Sequence, residues 1–319
     1  MPTPDAKYRH SLPQLGPGLF LTDSGLETEL IFHDGIELPC FASFPLLQSD
    51  AGRRRLHEYY SAFARLAVQK RLGLVLETNT WRANADWGAN LGYDATALAD
   101  INRRAVELVL EIRHAFEVPS SPMPISGCVG PRGDGYRPGQ LMTNREALDY
   151  HDAQIATFAE TAVDLVSAFT ITNTPEALGI VLAGKRRDIP VAMAFTLETD
   201  GRLPTGQPLR DAIAEVDAAT GNYASFFMIN CAHPTHFDDA LDDGEWTKRL
   251  KGVRANASRR SHAELDAASD LDAGDPAELA RQYVALRKRL PHVNIVGGCC
   301  GTDFRHVEAI SECCQVAAP

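Results

Sequence analysis

The segment of this chain hardest to explain by packing is Val296-Gly297-Gly298-Cys299-Cys300-Gly301-Thr302. Two adjacent cysteines stand between glycines, which let a backbone turn sharply and approach other groups closely. Such a turn can aim both sulfurs at one ion. A third cysteine, Cys231, closes the apolar run Met228-Ile229-Asn230-Cys231. Three thiols with no evident fourth protein ligand describe an open zinc site: structural zinc takes four protein ligands, and catalytic zinc leaves a position free. Thiolates also favour zinc over magnesium or calcium. A free thiol, with a pKa of roughly 8.5, is mostly protonated at neutral pH, whereas zinc deprotonates a thiol that coordinates it. A substrate thiol in the fourth position therefore becomes a nucleophile. Its attack on a methylated sulfonium annihilates two opposite charges, which a water-poor site favours. A vicinal redox disulfide between Cys299 and Cys300 is the alternative, although the pair lacks C-x-x-C spacing. Of the seven cysteines, the remaining four, Cys40, Cys128, Cys313 and Cys314, read as packing residues.

These thiols need a scaffold. Strand-like apolar runs recur at Leu19–Gly25, Leu74–Thr80, Pro124–Gly130, Leu165–Ile171, Pro190–Leu197, Ser225–Cys231, Lys251–Asn256 and Val293–Gly298. Between them lie helical patterns: Asp50–Leu72, with Asp50 as cap and Gly73 as stop, then Asp94–Phe116, Asn144–Val163, Pro175–Ala183, Pro208–Ala219, Phe237–Leu250, Asp275–Leu290 and Asp303–Cys314. Strand–helix alternation repeated eight times predicts an α/β fold, a single (β/α)8 TIM barrel, with a doubly wound open sheet as the alternative. The barrel is expected over residues 19–319, behind a loose, polar, Pro-rich arm at 1–18. The irregular stretch Ala257–Gly274 reads as a long loop on the active face. In a barrel the sixth and eighth strands flank the seventh, so Cys231, Cys299 and Cys300 meet at the C-terminal mouth, where active sites of this fold lie. Arg254, ending the seventh strand, suits a substrate carboxylate or an ion pair with a neighbouring one. His233 and His236, just after Cys231, read as caps or as ligands or proton carriers.

Composition narrows the class. Of 319 residues, 45% are hydrophobic and 23% charged, ordinary for a globular chain, and the formal net charge of −11 argues against general nucleic-acid binding. No apolar run reaches the roughly 18 residues of a membrane span, and the arm lacks the apolar stretch of a secretory signal. The expectation is a cytoplasmic protein whose partners are small molecules, a thiol and a methyl donor. No nucleic acid or membrane is expected, and the sequence leaves room for a homo-oligomer.

At these residues the sequence resembles the homocysteine S-methyltransferase family, over most of the chain. Leu21 to Leu30 (LTDSGLETEL), Glu77 to Trp81 (ETNTW) and Gly127 to Gly133 (GCVGPRG) look like its first three strand motifs, and Asn230-Cys231 and Gly297 to Gly301 like its zinc motifs. The resemblance implies a zinc-bearing TIM barrel with Cys231, Cys299 and Cys300 as ligands. It implies Asp23 at the substrate amino group and Thr78, Asn79, Thr80 and Asn230 in or behind the pocket. Phe169 stands where the family typically has a glutamate that grips the amino group of homocysteine. Ser24 and Glu27 stand where glycines are usual, and Glu27 either supplies a compensating charge or caps the next helix. Trp81 is placed to face a sulfonium through a cation–π contact. The expected activity is methyl transfer from a sulfonium such as S-methylmethionine to a zinc-bound thiolate, homocysteine by default, giving methionine. The alternatives are the same chemistry on another thiol, and zinc or thiol binding without turnover.

Overall fold

Runs such as Leu165-Val166-Ser167-Ala168-Phe169-Thr170-Ile171 leave no face for water, and they form strands buried on both sides. The computed structural model describes residues 6–316. Its nine strand segments make one all-parallel sheet. Two of them are halves of one stave interrupted at Val75, which leaves β1 (Phe20–Leu21), β2 (Gly73–Leu74 and Leu76–Glu77), β3 (Ile125–Val129), β4 (Leu165–Ile171), β5 (Val191–Thr196), β6 (Ala224–Asn230), β7 (Leu250–Ala255) and β8 (Ile295–Gly298). The first half of β2 pairs with β1 and the second with β3, while β1 also pairs with β8. The ring therefore closes as a (β/α)8 barrel, and each expected strand contains or overlaps an observed stave.

Helix ends differ in instructive ways. The helix Asp50–Lys70 is capped by Ser49, whose side chain accepts from the Gly52 N–H, and it ends on left-handed Arg71 rather than at Gly73. Gly73 belongs to β2 and has no Cβ because the Phe20 ring lies against it. The expected helix Phe237–Leu250 does not form. A short helix, Pro234–Phe237, is followed by 3-10 turns at Asp238–Ala240 and Glu245–Arg249. Asp242 breaks the run, because its Oδ1 accepts from the Gly244 N–H (2.8 Å) and from Trp246 Nε1 (2.6 Å) and so competes with helical bonding. The irregular stretch after β7 carries a short helix, His262–Ala267, closed by a Ser261/Glu264 capping box.

The arm is not loose where it is described; its first five residues and 317–319 lie outside the described residues. Arg9 donates to the carbonyls of Ala159, Thr161 and Val163. Asn294 Nδ2 donates to the carbonyls of Gln14, Gly16 and Gly18. Leu12 joins Phe20, Val75, Leu165, Phe226 and Ile295 in the apolar filling of the barrel interior. The arm thus plugs the N-terminal end. Higher up, the interior turns polar, and that is where the site begins. Among the described residues, no helix is long and apolar enough to cross a membrane.

Candidate metal centre and substrate cavity

Three neighbouring staves set the thiols. Asn230 pairs with Arg254 and Arg254 with Gly297, so β6, β7 and β8 end at one level. The next residues are anchored by Cys231 N–H to Arg254 O (3.1 Å) and Cys299 N–H to Ala255 O (2.8 Å). Gly297 and Gly298 allow the closeness this needs: a Cβ on Gly297 would overlap Thr22 Oγ1, and one on Gly298 would overlap Thr302 Oγ1. Gly301, at φ +80°, turns the chain away.

As expected, Cys231, Cys299 and Cys300 converge, with all three sulfurs within 4.8 Å of one another and no histidine or carboxylate joining them among the described residues. Cys231 and Cys299 are in disulfide contact and Cys300 is a free thiol, so the pairing is not the vicinal one. Cys300 Sγ lies 3.7 Å from Cys231 Sγ, and burial pushes its thiol pKa up. Around the sulfurs sits a frame that sequence reading only partly identified. Asn230 Oδ1 accepts from the Thr170 N–H (2.8 Å), and its Nδ2 donates to Thr170 Oγ1 (2.9 Å) and towards Cys299 Sγ (3.9 Å). This grip holds Thr170 at φ +62°, a costly conformation for a β-branched residue, where β4 bulges against β5. Cys231 itself is held at φ +53°. His262 Nε2 donates to the Cys231 carbonyl (2.7 Å), and its ring stacks on Tyr136 at 4.0 Å. The Tyr136 hydroxyl donates to Cys300 Sγ (3.3 Å).

The sulfurs open onto a cavity of about 300 Å³. Its lining includes Asp23, Glu27, Thr78, Asn79, Trp81, Asn230 and Arg254, the residues expected around a substrate. Several are already engaged. Arg254 Nη2 donates to Asp23 Oδ1 (2.5 Å), and its Nε donates to Gly298 O (3.0 Å). Asp23 Oδ2 accepts from the Tyr59 hydroxyl (3.2 Å). The guanidinium also lies 5.0 Å over the Phe169 ring. Of the two sequence readings of Arg254, the ion pair is the one present. Burial opposes its charge, but Asp23 and Glu77 outweigh burial and raise its pKa. Burial raises Asp23 despite the same pairing. Glu27 accepts from Ser43 Oγ (3.0 Å), and burial raises its pKa too. The Thr78 hydroxyl is spent on the Cys128 N–H (2.9 Å) and Thr80 Oγ1 (2.7 Å). One face of Trp81 is covered by Arg82, which lies 4.0 Å from that ring and 3.9 Å from Trp87. His233 and His236 stay outside. His233 caps the short helix after β6, and burial lowers its pKa to about 4, while His236 Nε2 lies 2.9 Å from Arg259 O.

Sequence reading passed over three residues. Tyr136 comes from the glycine-rich loop after β3, and Gly135 lets that loop pack against Trp81 and Thr170. His262 follows the Ser261-x-x-Glu264 capping signal inside a stretch read as loop. Glu77 was legible as the one acid in Leu74-Val75-Leu76-Glu77. Burial lifts its pKa to about 7.

The comparisons with known proteins agree with this architecture. The family model for homocysteine S-methyltransferase matches residues 20–314. The methionine synthase of Mycobacterium leprae is 24% identical over 247 residues, which is 74% of this chain but only 20% of the length of that protein. Among solved structures, the oxidized form of the homocysteine methyltransferase MmuM from Escherichia coli superposes with a TM-score of 0.74 at 22% identity, covering 93% of this chain and 96% of that one. Its metallated form gives 0.72 at 21% identity, covering 92% and 96%. At such identity these structures speak to the shared barrel.

Proposed function

The chain belongs to the homocysteine S-methyltransferase family, and from that premise we propose that it moves a methyl group from a sulfonium-type donor, S-methylmethionine or a relative, to a thiol, homocysteine by default, giving methionine. The observation that carries this reading is the meeting of Cys231, Cys299 and Cys300 at the wall of a closed-in cavity. The donor set fits zinc. Two sulfurs on a tetrahedral ion at Zn–S of about 2.3 Å stand about 3.8 Å apart, close to the 3.7 Å between Cys231 and Cys300. Cys299 completes the set once its contact with Cys231 is reduced. When bound, zinc would hold a coordinated substrate thiol as thiolate near neutral pH.

The chain's own residues do the rest. Asn230 fixes the Thr170 wall and reaches towards Cys299, and His262 fixes the Cys231 carbonyl, so the sulfurs do not wander. Tyr136 and its stacked His262 stand over the sulfurs and keep water from the thiol. In the transfer, a thiolate lone pair forms the new S–CH₃ bond. The old S–CH₃ bond breaks with its electrons staying on the donor sulfur, which leaves as a neutral thioether, and the acceptor's proton goes to solvent. A different thiol acceptor is the second reading. Phe169 favours it, because this ring offers the cavity no charge to meet an amino group.

Elemental analysis of reduced wild type and Cys299→Ala tests the centre. About one zinc per chain, lost in the variant, is the expected result. No zinc even after reconstitution under reducing conditions removes the basis for thiol activation. A panel of thiols with S-methylmethionine then tests the acceptor, and turnover of another thiol without homocysteine would displace the default.

A further inference from the structure

The cavity wall carries three buried or enclosed carboxylates, and they are not equivalent. Asp23 has both oxygens engaged, by Arg254 and by Tyr59. Glu27 is held by Ser43. Glu77 is 5% exposed and lines the cavity, yet its Oε2 has no hydrogen-bond partner. Two residues on, Asn79 is also 5% exposed and lines the cavity, and neither its Oδ1 nor its Nδ2 has a partner. Residues two apart on a strand share a face. Val75, two before Glu77, packs in the barrel interior, so the inward row runs Val75, Glu77, Asn79.

Unpaired buried polar atoms cost roughly 1–3 kcal/mol each, and they persist mainly where something else fills them. A buried carboxylate with one oxygen unpartnered and facing a cavity can take a cation there. The nearby guanidinium of Arg254 is committed to Asp23, and that of Arg82 is stacked on two indoles and donates to Gly133 O (2.8 Å). We propose that Glu77 and Asn79 form the subsite that takes the ammonium group of an amino-acid substrate, and that Glu77 selects ligands carrying the amine over those lacking it. The proposal rests on the methyl-transfer reading for the nature of its ligands. The ammonium donates to the unpartnered Glu77 Oε2 and to Asn79 Oδ1. This supplies by a separate strand the charge that Phe169 does not offer. Burial opposes the charged carboxylate, and Arg254, Ser126 and Ser167 favour it, leaving a pKa of about 7 that an arriving cation lowers.

Both the acceptor and the donor can carry an ammonium group, and calorimetry on the full chain reads the preference for it without turnover. The probes are methionine and 4-(methylsulfanyl)butanoate, which differ only in the amine and need no metal, and S-methylmethionine with its amine-free sulfonium counterpart. Glu77→Gln keeps shape and removes charge. It is expected to weaken methionine binding about tenfold or more and to leave the amine-free thioether unchanged. Asn79→Ala should show the same pattern more weakly, at unchanged melting temperature. Discrimination in the thioether pair or in the sulfonium pair that is lost in Glu77→Gln supports the subsite. Equal effects of Glu77→Gln on amine-bearing and amine-free ligands, no effect on either, or no preference for the amine in wild type would overturn the proposal. A protein that binds no zinc but still discriminates the thioethers would keep the subsite and lose the methyl-transfer reading.

Discussion

The two ends of this barrel are built on opposite terms. At the N-terminal end Leu12, Phe20, Leu165, Phe226 and Ile295 fill the interior, and Asn294 and Arg9 meet seven hydrogen bonds' worth of carbonyl acceptance between them. At the C-terminal end stand a buried ion pair, the cavity-lining residues Phe41, Thr170 and Cys231 at positive φ, and the unpartnered atoms of Glu77 and Asn79. The closed end has positive-φ residues (Arg71, Asp188 and Asn222), a buried Arg113–Asp164 pair and an unpartnered Gln14 amide of its own; what sets the open end apart is that a ligand in the cavity can reach its strained and unpaired groups.

Breaking the open end should therefore cost chemistry before it costs fold. The largest effect is expected for Cys300→Ala. It removes one sulfur of three from a cluster that no other histidine, cysteine or carboxylate joins among the described residues, and product formation should fall by about a thousandfold or more. Because Cys300 is half-buried and contacts chiefly Tyr136 and Cys231, the urea midpoint should change little. A comparable fall in midpoint would mean that the sulfurs hold the fold together, and the contrast between the ends would weaken.

Arg254 is the exception at the open end, since it serves both fold and site. Arg254→Met leaves Asp23 buried without its cation, and removing one partner of such a pair costs roughly 3–5 kcal/mol. The double variant Arg254→Met/Asp23→Asn should recover much of that loss, because the uncompensated charge goes with the partner. Denaturant titration at constant slope checks both values. No recovery in the double variant would mean that the guanidinium's bonds to Gly298 and Ser24, rather than its charge, carry the cost.

The legible part of this molecule was what local pattern encodes. Apolar runs located all eight staves, and the Gly-Gly-Cys-Cys-Gly turn with the strand-end Cys231 located the sulfurs, because a barrel's cyclic order brings alternate strand ends together. What escaped depends on groups distant in sequence. The arm has too few apolar residues to look packed, yet it is tied down by Arg9, which donates to the carbonyls of Ala159, Thr161 and Val163, and by Asn294, whose side chain donates to the arm's own carbonyls. Asp242 broke a helix by bonding to its own neighbourhood. Arg254 read as either a substrate contact or half of an ion pair and Asp23 as a substrate contact, and the closed ring shows that they are each other's partners. Tyr136 reaches the sulfurs from a loop whose course no periodicity describes.

The smallest expected effect sharpens the comparison most, because it concerns a feature that both ends share. Gln14, in the plug, is fully buried with neither side-chain atom partnered. It does not line the cavity, so no substrate there can relieve it. Gln14→Leu removes the unpaired amide at similar volume and should stabilise the chain by about 1–2 kcal/mol, with kcat/KM unchanged. The matching change at the open end, Glu77→Gln, should stabilise in a pH-dependent way. Glu77 titrates at about 7 in the fold against 4.5 when unperturbed, so the folded protein holds this proton more tightly. The stability that Glu77 contributes relative to the unfolded chain is complete below about pH 4.5 and is lost as pH rises through about 7, with a ceiling of about 3 kcal/mol. Glu77→Gln should therefore raise the melting temperature at pH 8 more than at pH 5, while Gln14→Leu raises it equally at both. If Gln14→Leu impaired activity, or if Glu77→Gln gave a pH-independent gain, unpaired polarity would not separate the end that folds from the end that binds.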